Sequence, residues 1–197
     1  PSASSLPLMS DDERAAVGTC YKQEGQEAAI TLGHKLVSGE IKEARLQAWN
    51  AFIEQHPEGV LYCFRGGLRS RTTQQWIYEN SGVDYPRVDG GYKALRRFLL
   101  DSTERLVDKM NFVVLSGRSG TGKTRLLKQI PHSIDLEGLA NHRGSAFGPT
   151  TTPQPSQIDF ENGVAIALLK AEAAGYTTLV VEDESRNVGS LHVPVVL

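Results

Sequence analysis

Alternating patterns of apolar and polar positions divide the chain into predicted helices and short strands. Ser10 and Glu13 have the spacing of a capping box, which predicts that a short helix begins after Ser10. Apolar residues recur at helical spacing from Ile41 to Ile53, and this pattern predicts a helix that ends before Pro57. Helices and strands continue to alternate along the chain, which favours the α/β class.

Two groups of predicted strands and helices follow along the chain. In each group, a glycine-rich loop comes after the first predicted strand. The first group has predicted strands at 60–64 and 83–88 and predicted helices at 72–80 and 92–109. The second group has predicted strands at 112–116, 133–136 and 178–181 and predicted helices at 123–129 and 157–174. The pattern predicts two α/β domains, 1–108 and 109–197, and we expect both to be incomplete at the chain ends.

Charge and composition narrow the classes of function. The formal net charge is −2, but residues 61–130 hold thirteen Lys or Arg against six Asp or Glu, a balance of +7 that leaves −9 elsewhere. This middle segment suits an anionic partner, although a solvated basic face would give the same pattern. Trp49 and Trp76 lie at helical positions, so we predict that they are core residues rather than platforms for nucleic-acid bases.

Several classes are disfavoured by what the sequence lacks. It has no apolar run long enough for a membrane span and no signal-peptide pattern, so we expect a cytoplasmic protein without a membrane partner. Its two cysteines are too few for a disulfide framework, and no Cys or His spacing fits a structural zinc site. Any functional cysteine is therefore expected to act as a thiol.

The segment from Gly117 to Thr124 fits the P-loop pattern G-x-x-x-x-G-K-[ST] and lies between a predicted strand and a predicted helix. Glycines allow backbone N–H groups to face phosphate oxygens, the helix adds its positive end, Lys123 adds charge, and the Thr124 hydroxyl can ligate Mg²⁺. We predict a loop that binds a diphosphate or nucleotide phosphates; a glycine-rich turn without a ligand is the alternative. The predicted phosphate-binding residues are Gly117, Arg118, Ser119, Gly120, Thr121, Gly122, Lys123 and Thr124.

Two other segments are candidate parts of the same site. Glu182 and Asp183 follow a predicted strand and are candidate Mg²⁺ ligands, although a solvated strand exit would have the same sequence. His142 and Arg143 lie in a long loop at 141–157, and loops in that position line the ligand crevice of such folds. They are candidate substrate or metal contacts, and a flexible turn is the alternative.

Cys63 lies near the end of a predicted strand and begins a loop rich in glycine and arginine. Backbone N–H groups, the N-terminus of the next helix and the arginine charges would favour a thiolate, which makes Cys63 a candidate nucleophile. The same surroundings would bind an oxyanion or stabilise a persulfide, whereas a buried free cysteine is the alternative. The predicted anion-binding residues around the sulfur are Arg65, Gly66, Gly67, Arg69 and Ser70. Cys20 has no such setting.

The cysteine loop resembles the active-site loop of rhodanese domains, and the whole set of motifs resembles the tRNA 2-selenouridine synthase family. The motifs that carry this resemblance are residues 63–70, Gly90-Gly91-Tyr92-Lys93-Ala94, the P-loop, residues 135–145, Gln154-Pro155, Phe160-Glu161 and residues 182–186. Together they extend through nearly all 197 residues. The resemblance implies a rhodanese-like α/β domain followed by a P-loop NTPase-like α/β domain.

The resemblance also implies a reaction. It implies a transferase that acts on the wobble 2-thiouridine of tRNA and replaces sulfur with selenium through an S-geranylated intermediate. Selenophosphate and geranyl diphosphate would be co-substrates, with no tightly bound cofactor. By position, Cys63 would accept or relay selenium, and the P-loop would hold the prenyl diphosphate without necessarily hydrolysing ATP. The basic middle segment would accommodate tRNA phosphates.

Departures from the family pattern keep other functions open. The family's rhodanese unit begins with an earlier strand and a Gly-His segment, and its members continue past Leu197, so we expect this fragment to be inactive alone. Five residues separate Cys63 from Arg69, a spacing shared with cysteine phosphatases, which usually carry His where this chain has Tyr62. The alternatives are a cysteine-dependent phosphatase, a P-loop NTPase or kinase with a rhodanese-like regulatory module, and a non-catalytic tRNA-binding protein.

Overall fold

The computed structural model describes residues 3–64, 67–118, 121–143, 148, 150–184 and 186–194. The helices are α1 (Asp11–Glu24), α2 (Gln26–Leu36), α3 (Gly39–Gln55), α4 (Leu68–Ser81), α5 (Gly91–Lys109), α6 (Lys123–Leu127), α7 (Leu136–Ala140) and α8 (Gln157–Ala173). The strands are β1 (Asn111–Leu115), β2 (Ser133–Ile134), β3 (Thr178–Glu182), β4 (Asn187–Val188) and β5 (Leu191–His192). The α/β class is therefore confirmed, and the elements divide into two units, Pro1–Leu95 and Arg96–Leu197.

The capping box at the start of α1 forms as predicted. The Ser10 hydroxyl accepts the Glu13 N–H at 3.2 Å, and the Ser10 N–H donates to the Glu13 carboxylate at 2.7 Å. The helix extends to Glu24, and α2 follows directly after Gly25, whose φ is 91°. Helix α2 was not predicted from the sequence. It packs against α1, and α1 has no buried residue and no apolar stripe that would indicate a packing partner.

The core of the first unit is built from α3, α4 and the segment before α1. Trp49 and Trp76 are 3% and 6% exposed, so the prediction that both are core residues is confirmed. The Trp49 indole N–H donates to the Leu6 carbonyl at 3.1 Å, which satisfies the polar edge of the buried ring. The remaining buried members of this cluster are Leu8, Val37, Leu46 and Ile77.

The strands predicted at 60–64 and 83–88 do not form. One parallel bridge, Leu61 with Arg87, is all that forms between them among the described residues. Pro86 has no N–H to extend a ladder, and Val60 and Tyr62 are 52% and 43% exposed. A rhodanese-like sheet is thus not seen in residues 3–64 and 67–95, and the rhodanese-like fold remains a prediction.

The second unit contains a parallel sheet with the order β1-β3-β2. Leu115 at the end of β1 is paired with Glu182 at the end of β3, and β2 pairs with β3 at Val180 and Val181. Parallel neighbours require crossover connections, and α6, α7 and α8 supply them. The carboxyl ends of all three strands therefore lie at one edge of the sheet, which is where ligands bind in such folds.

Helix α5 explains why the division falls earlier than the boundary expected near residue 108. From Arg96 onward its side chains pair with α8: Arg96 with Glu161, and Arg105 with both carboxylate oxygens of Glu172 at 2.7 and 2.8 Å. Leu106 is fully buried in the core of the second unit. The second half of α5 thus packs with the elements that follow it, which a helix-by-helix sequence pattern does not reveal.

Several short elements differ from the predictions. The predicted helix at 123–129 is the five-residue α6, and the predicted strand at 133–136 is the two-residue β2. Helix α7 and the β4–β5 hairpin were not predicted. Gln154 bonds to both elements. Its side-chain N–H group donates to the Ala140 and Val188 carbonyls at 3.0 Å each, and its side-chain oxygen accepts the Ser190 N–H at 2.9 Å. One side chain therefore links α7 to the hairpin.

No helix in the described part of the chain is both long enough and apolar enough to cross a bilayer.

Candidate functional site

Cys63 is positioned by the neighbouring bridge between Leu61 and Arg87 and by the start of α5. The Val88 N–H donates to the Leu61 carbonyl at 2.8 Å, and the Tyr92 N–H donates to the Cys63 carbonyl at 2.8 Å. Gly91 has a φ of 62°, and a Cβ there would lie 2.3 Å from the Cys63 oxygen. Gly91 is therefore required by both its backbone conformation and the closeness of the cysteine backbone.

The Cys63 sulfur faces the first turn of α4. The buried Ser70 hydroxyl lies 3.4 Å from Sγ and 3.1 Å from the Gly67 carbonyl, so its one proton is shared between two acceptors. Gly67 precedes the helix in a left-handed conformation, with φ 79°. This turn directs the backbone N–H groups of Gly67 and Ser70 to the sulfur.

These contacts determine the charge state of the thiol. Partial burial raises the pKa of Cys63, but the Ser70 hydroxyl, the N–H groups of Ser70 and Gly67, and the charge of Arg69 outweigh it, so the net pKa is lowered. Cys20 shows the opposite behaviour: partial burial, and then the nearby Glu24 carboxylate, raise its pKa. Of the two thiols, Cys63 is the one prepared to react as a thiolate.

The structure brings Gly67, Arg69 and Ser70 to the sulfur, in agreement with the sequence prediction. Arg65 and Gly66 lie outside the described residues, and their part in the anion loop remains a prediction. The ring of Phe64 stacks on Tyr92 at 5.9 Å between centroids. This aromatic pair lies beside the cysteine backbone, and the sequence pattern did not predict it.

Replacing Ser70 with alanine is expected to raise the pKa of Cys63, because the thiolate loses its side-chain hydrogen bond. At neutral pH the alkylation rate of Cys63 should fall roughly 2- to 10-fold, as expected for one lost hydrogen bond of about 0.5–1.5 kcal/mol. The measurement is iodoacetamide labelling against pH, followed by mass spectrometry of the Cys63 peptide. Ser81→Ala is the control, since that hydroxyl donates to the Ile77 carbonyl in the last turn of the same helix. An unchanged pH profile in Ser70→Ala would show that the Ser70 hydroxyl does not lower the pKa of Cys63.

Replacing Gly91 with alanine is expected to displace the cysteine backbone. A non-glycine residue in the left-handed region costs about 1–3 kcal/mol, and the overlap with the Cys63 carbonyl adds to it. We expect a lower unfolding temperature together with an altered pH profile for Cys63 alkylation. Gly18→Ala in α1 is the matched control, because a Cβ there meets nothing within 4 Å and should not reduce stability. Normal stability in Gly91→Ala would contradict the steric argument.

The phosphate loop follows β1 at the carboxyl edge of the sheet. The Lys123 ammonium donates to the Gly117 carbonyl at 2.6 Å, which holds it across the loop. The Thr121 hydroxyl donates to the Arg118 carbonyl at 2.8 Å, and Gly122 has a φ of 87°. Ser119 and Gly120 lie outside the described residues. The helix after the loop has only five residues, so its dipole contributes less than the predicted longer helix would have.

Acidic side chains gather at the ends of β2 and β3, beside the loop. Glu182 is 3% exposed, and its Oε2 atom accepts the Glu137 N–H at 3.2 Å. The Thr124 hydroxyl donates to the Glu137 carboxylate at 3.4 Å. Asp183, the other predicted metal ligand, instead accepts the Ser116 hydroxyl at 2.6 Å. Only Glu182 of the predicted pair joins this acidic group.

Burial is the largest cause that raises the pKa of Glu182; with the added repulsion of the Asp135, Glu137 and Glu184 carboxylates, and against the opposing hydrogen bond from the Glu137 N–H, the pKa is raised to about 7. Burial also raises the pKa of Glu184, with Glu137 as the next cause. Glu137 and Glu184 were not predicted as site residues. Their position at the ends of β2 and β3 was the signal available in the sequence, because the carboxyl ends of parallel strands share an edge.

The loop residues His142 and Arg143 follow α7, close in sequence to the acidic group. The His142 N–H donates to the Glu137 carbonyl at 3.0 Å, so its backbone adjoins the acidic group. The Arg143 N–H donates to the Gly148 carbonyl at 3.0 Å, and the Arg143 residue is exposed. Residues 144–147 lie outside the described part of the chain. A role for His142 and Arg143 in substrate or metal binding remains a prediction.

A β-strand, a glycine-rich loop with Lys123 and Thr124, and acids at the same edge of a parallel sheet define the second unit as a P-loop-type α/β domain. Residues 110–197 match the family model described as "tRNA 2-selenouridine synthase AAA domain". This match supports the resemblance to the tRNA 2-selenouridine synthase family that the sequence motifs indicated.

The similar proteins carry that name. The chain is 61% identical to the "tRNA 2-selenouridine synthase" of Marinobacter nauticus over all 197 residues, which cover 53% of that relative. It is 61% identical to the Pseudomonas fluorescens Pf0-1 protein and 58% identical to the Azotobacter vinelandii protein, covering 54% and 53% of them. The chain thus spans about half the length of these curated relatives. No solved structure matches it significantly.

Proposed function

We propose that the full-length protein is a tRNA-modifying transferase that replaces sulfur with selenium in wobble 2-thiouridine through an S-geranylated intermediate. The observation that carries the proposal is a thiol of lowered pKa in the same chain as a P-loop. A P-loop hydrolase needs no such thiol, and a simple sulfurtransferase needs no diphosphate-binding loop. The names of the relatives support the tRNA and selenium parts of the proposal.

The P-loop is assigned to the geranyl donor. The 2-thio sulfur of the tRNA attacks C1 of geranyl diphosphate, the C–O bond breaks, and diphosphate leaves with the bonding electrons. The Lys123 ammonium and the loop N–H groups stabilise the charge that develops on the leaving diphosphate, which lowers the barrier to this step. The ligand proposed for the P-loop is therefore a prenyl diphosphate rather than a nucleotide.

Cys63 is assigned to the selenium step. The N–H groups of Gly67 and Ser70 and the charge of Arg69 that favour the thiolate can also hold the oxyanion of selenophosphate. The Cys63 thiolate attacks the phosphorus of selenophosphate, and the P–Se bond breaks to release selenide. The selenide adds to C2 of the base, geranyl thiolate leaves C2 and takes a proton, and water hydrolyses the S–P bond to phosphate and the free thiol. Selenium enters as selenide and sulfur leaves as a thiol, so the exchange needs no oxidant or reductant.

Two further partners belong to the proposal. Mg²⁺ would neutralise diphosphate charge, and the Thr124 hydroxyl with the nearby carboxylates is chemically suited to hold it. The +7 balance of residues 61–130 suits the phosphates of tRNA. Tight cofactors and a membrane partner are not needed for this reaction, and a cytoplasmic location remains an expectation.

A cysteine-dependent phosphatase is the second candidate, because five residues separate Cys63 from Arg69 and the thiol pKa is lowered. That enzyme would hydrolyse a generic aryl phosphate and lose the activity in Cys63→Ser. A P-loop NTPase would instead show Mg²⁺-dependent nucleotide turnover that persists in Cys63→Ser and disappears in Lys123→Ala.

The test of the proposed function is incubation of the full-length protein with 2-thiouridine tRNA, geranyl diphosphate and selenophosphate, followed by nucleoside mass spectrometry. The expected products are 2-selenouridine in the tRNA and free geranyl thiol. Unchanged nucleosides would contradict the proposal and favour a tRNA-binding protein without catalysis.

A further inference from the structure

Three glutamates converge beside the P-loop from two different strand ends. Glu137 lies in α7 just after β2, and Glu182 and Glu184 lie at the end of β3. One carboxylate oxygen from each lies within 4.8 Å of the other two. In the described part of the chain, no lysine or arginine forms an ion pair with any of the three. Three carboxylates so close together repel one another unless a cation or protons neutralise them.

One oxygen in this cluster is buried without a partner. Glu182 is 3% exposed, its Oε2 atom accepts the Glu137 N–H, and its Oε1 atom accepts no hydrogen bond from any described residue. A buried polar atom without a partner costs about 1–3 kcal/mol, more if charged, so such atoms are rare in native proteins unless a ligand satisfies them. The Lys123 ammonium donates to the Gly117 carbonyl, and its charge acts on Glu184 without outweighing burial and Glu137, which raise the pKa of that carboxyl.

We propose that Glu137, Glu182 and Glu184 bind a divalent cation directly, in the absence of any phosphate ligand. All three ligands are carboxylate oxygens, which suit hard cations such as Mg²⁺, Mn²⁺ and Ca²⁺. Ligands about 2.1 Å from Mg²⁺ lie at most about 4.2 Å apart, and those about 2.4 Å from Ca²⁺ at most about 4.8 Å apart. The three-glutamate cluster fits this size with small side-chain movements.

This site differs from one in which the cation arrives with the phosphate. A cation held by one hydroxyl, one carboxylate and phosphate oxygens leaves with the phosphate, whereas three carboxylates retain it. The Thr124 hydroxyl, 3.4 Å from the Glu137 carboxylate, connects the cluster to the P-loop. The cation would therefore provide permanent positive charge next to the phosphate-binding loop and compensate for the negative charge of the cluster, which otherwise opposes anion binding there.

The test is Mn²⁺ binding to the full-length protein in buffer without phosphate or nucleotide, measured by electron paramagnetic resonance of free Mn²⁺. Glu137→Gln should reduce the Mn²⁺ affinity by at least about 10-fold. Loss of a residue that only hydrogen-bonds to a metal ligand already reduces affinity by about 10-fold or more, and Glu137 is proposed as a direct ligand. Mg²⁺ should compete for the site. Glu104→Gln is the matched control, because Glu104 is exposed on α5 and far from the cluster in sequence.

A second variant guards against misfolding. Glu182→Gln removes a buried charge, so without Mn²⁺ its unfolding temperature should equal or exceed that of the unsubstituted protein, while the rise on adding Mn²⁺ should disappear. No Mn²⁺ binding to the unsubstituted protein, equal affinity in Glu137→Gln, or a preserved Mn²⁺-dependent rise in Glu182→Gln would each overturn the proposal. None of these measurements requires tRNA or activity, so they are independent of the proposed function.

Discussion

Replacing Cys63 with serine in the full-length protein is expected to abolish selenium incorporation into tRNA and to leave S-geranylation largely intact. The surroundings of the sulfur favour a thiolate, and a serine hydroxyl is not ionised at neutral pH, so the side chain loses its charge and its nucleophilicity. The measurement is nucleoside mass spectrometry of tRNA after incubation with both donors. We expect 2-selenouridine below detection and S-geranyl-2-thiouridine in its place.

Cys20→Ser is the matched control for this substitution. Cys20 is a free thiol in α1 whose pKa is raised, so it should contribute nothing to selenium transfer. Normal selenation is expected in this variant. Formation of selenouridine by Cys63→Ser would show that the thiol assigned to the selenium step is the wrong group.

Replacing Lys123 with alanine is expected to reduce geranylation by about 100-fold or more, the effect of losing one preorganised charge that stabilises a transition state. Its ammonium already lies across the loop, bound to the Gly117 carbonyl at 2.6 Å, so the diphosphate would meet a prepositioned charge. The assay measures geranyl transfer to tRNA at saturating and limiting geranyl diphosphate. Selenation of tRNA that is already geranylated should continue.

Lys128→Ala is the matched control for the P-loop lysine. Lys128 is exposed and lies just after α6, so the same charge is removed five residues after Lys123, outside the loop. Geranylation at the normal rate is expected. If Lys123→Ala geranylated tRNA as well as Lys128→Ala, the P-loop would not be the diphosphate site.

Helices and strands whose ends are determined by neighbouring residues were predicted well from the sequence. The capping box at Ser10 and the strand before Gly117 are encoded by neighbouring residues, and both form. Helix α4 ends at Ser81, within one residue of its predicted end, and Gly82 follows it with a φ of 72°. Helix α8 also forms within one residue of its predicted end.

Elements that depend on distant partners were predicted poorly. The apolar run at 60–64 has strand propensity, but in the described residues it has a single bridge partner, and a strand is stabilised by its neighbours. Helix α2 packs against α1, and neither shows a strong apolar stripe. Helix α5 is continuous, yet the two units divide within it. Such information lies in tertiary contacts rather than in a sequence window.

The candidate sites show the same difference. The Cys63 loop was predicted well because Gly67, Arg69 and Ser70 are close in sequence, whereas Gly91 contacts the cysteine from another segment. Glu137 was missed because it lies 45 residues before Glu182, the residue that accepts its backbone N–H. Asp183 was predicted beside Glu182, but it lies just after the end of β3, and its carboxylate accepts the Ser116 hydroxyl instead.

The central claim is that one chain carries two chemical centres with separate steps. The most direct test is nucleoside mass spectrometry of tRNA from cells that lack the gene and are complemented with the full-length protein, Cys63→Ser or Lys123→Ala. The account predicts 2-selenouridine with the first, S-geranyl-2-thiouridine with Cys63→Ser, and unmodified 2-thiouridine with Lys123→Ala. The same accumulated nucleoside in both variants would contradict a division of labour between the thiol and the P-loop.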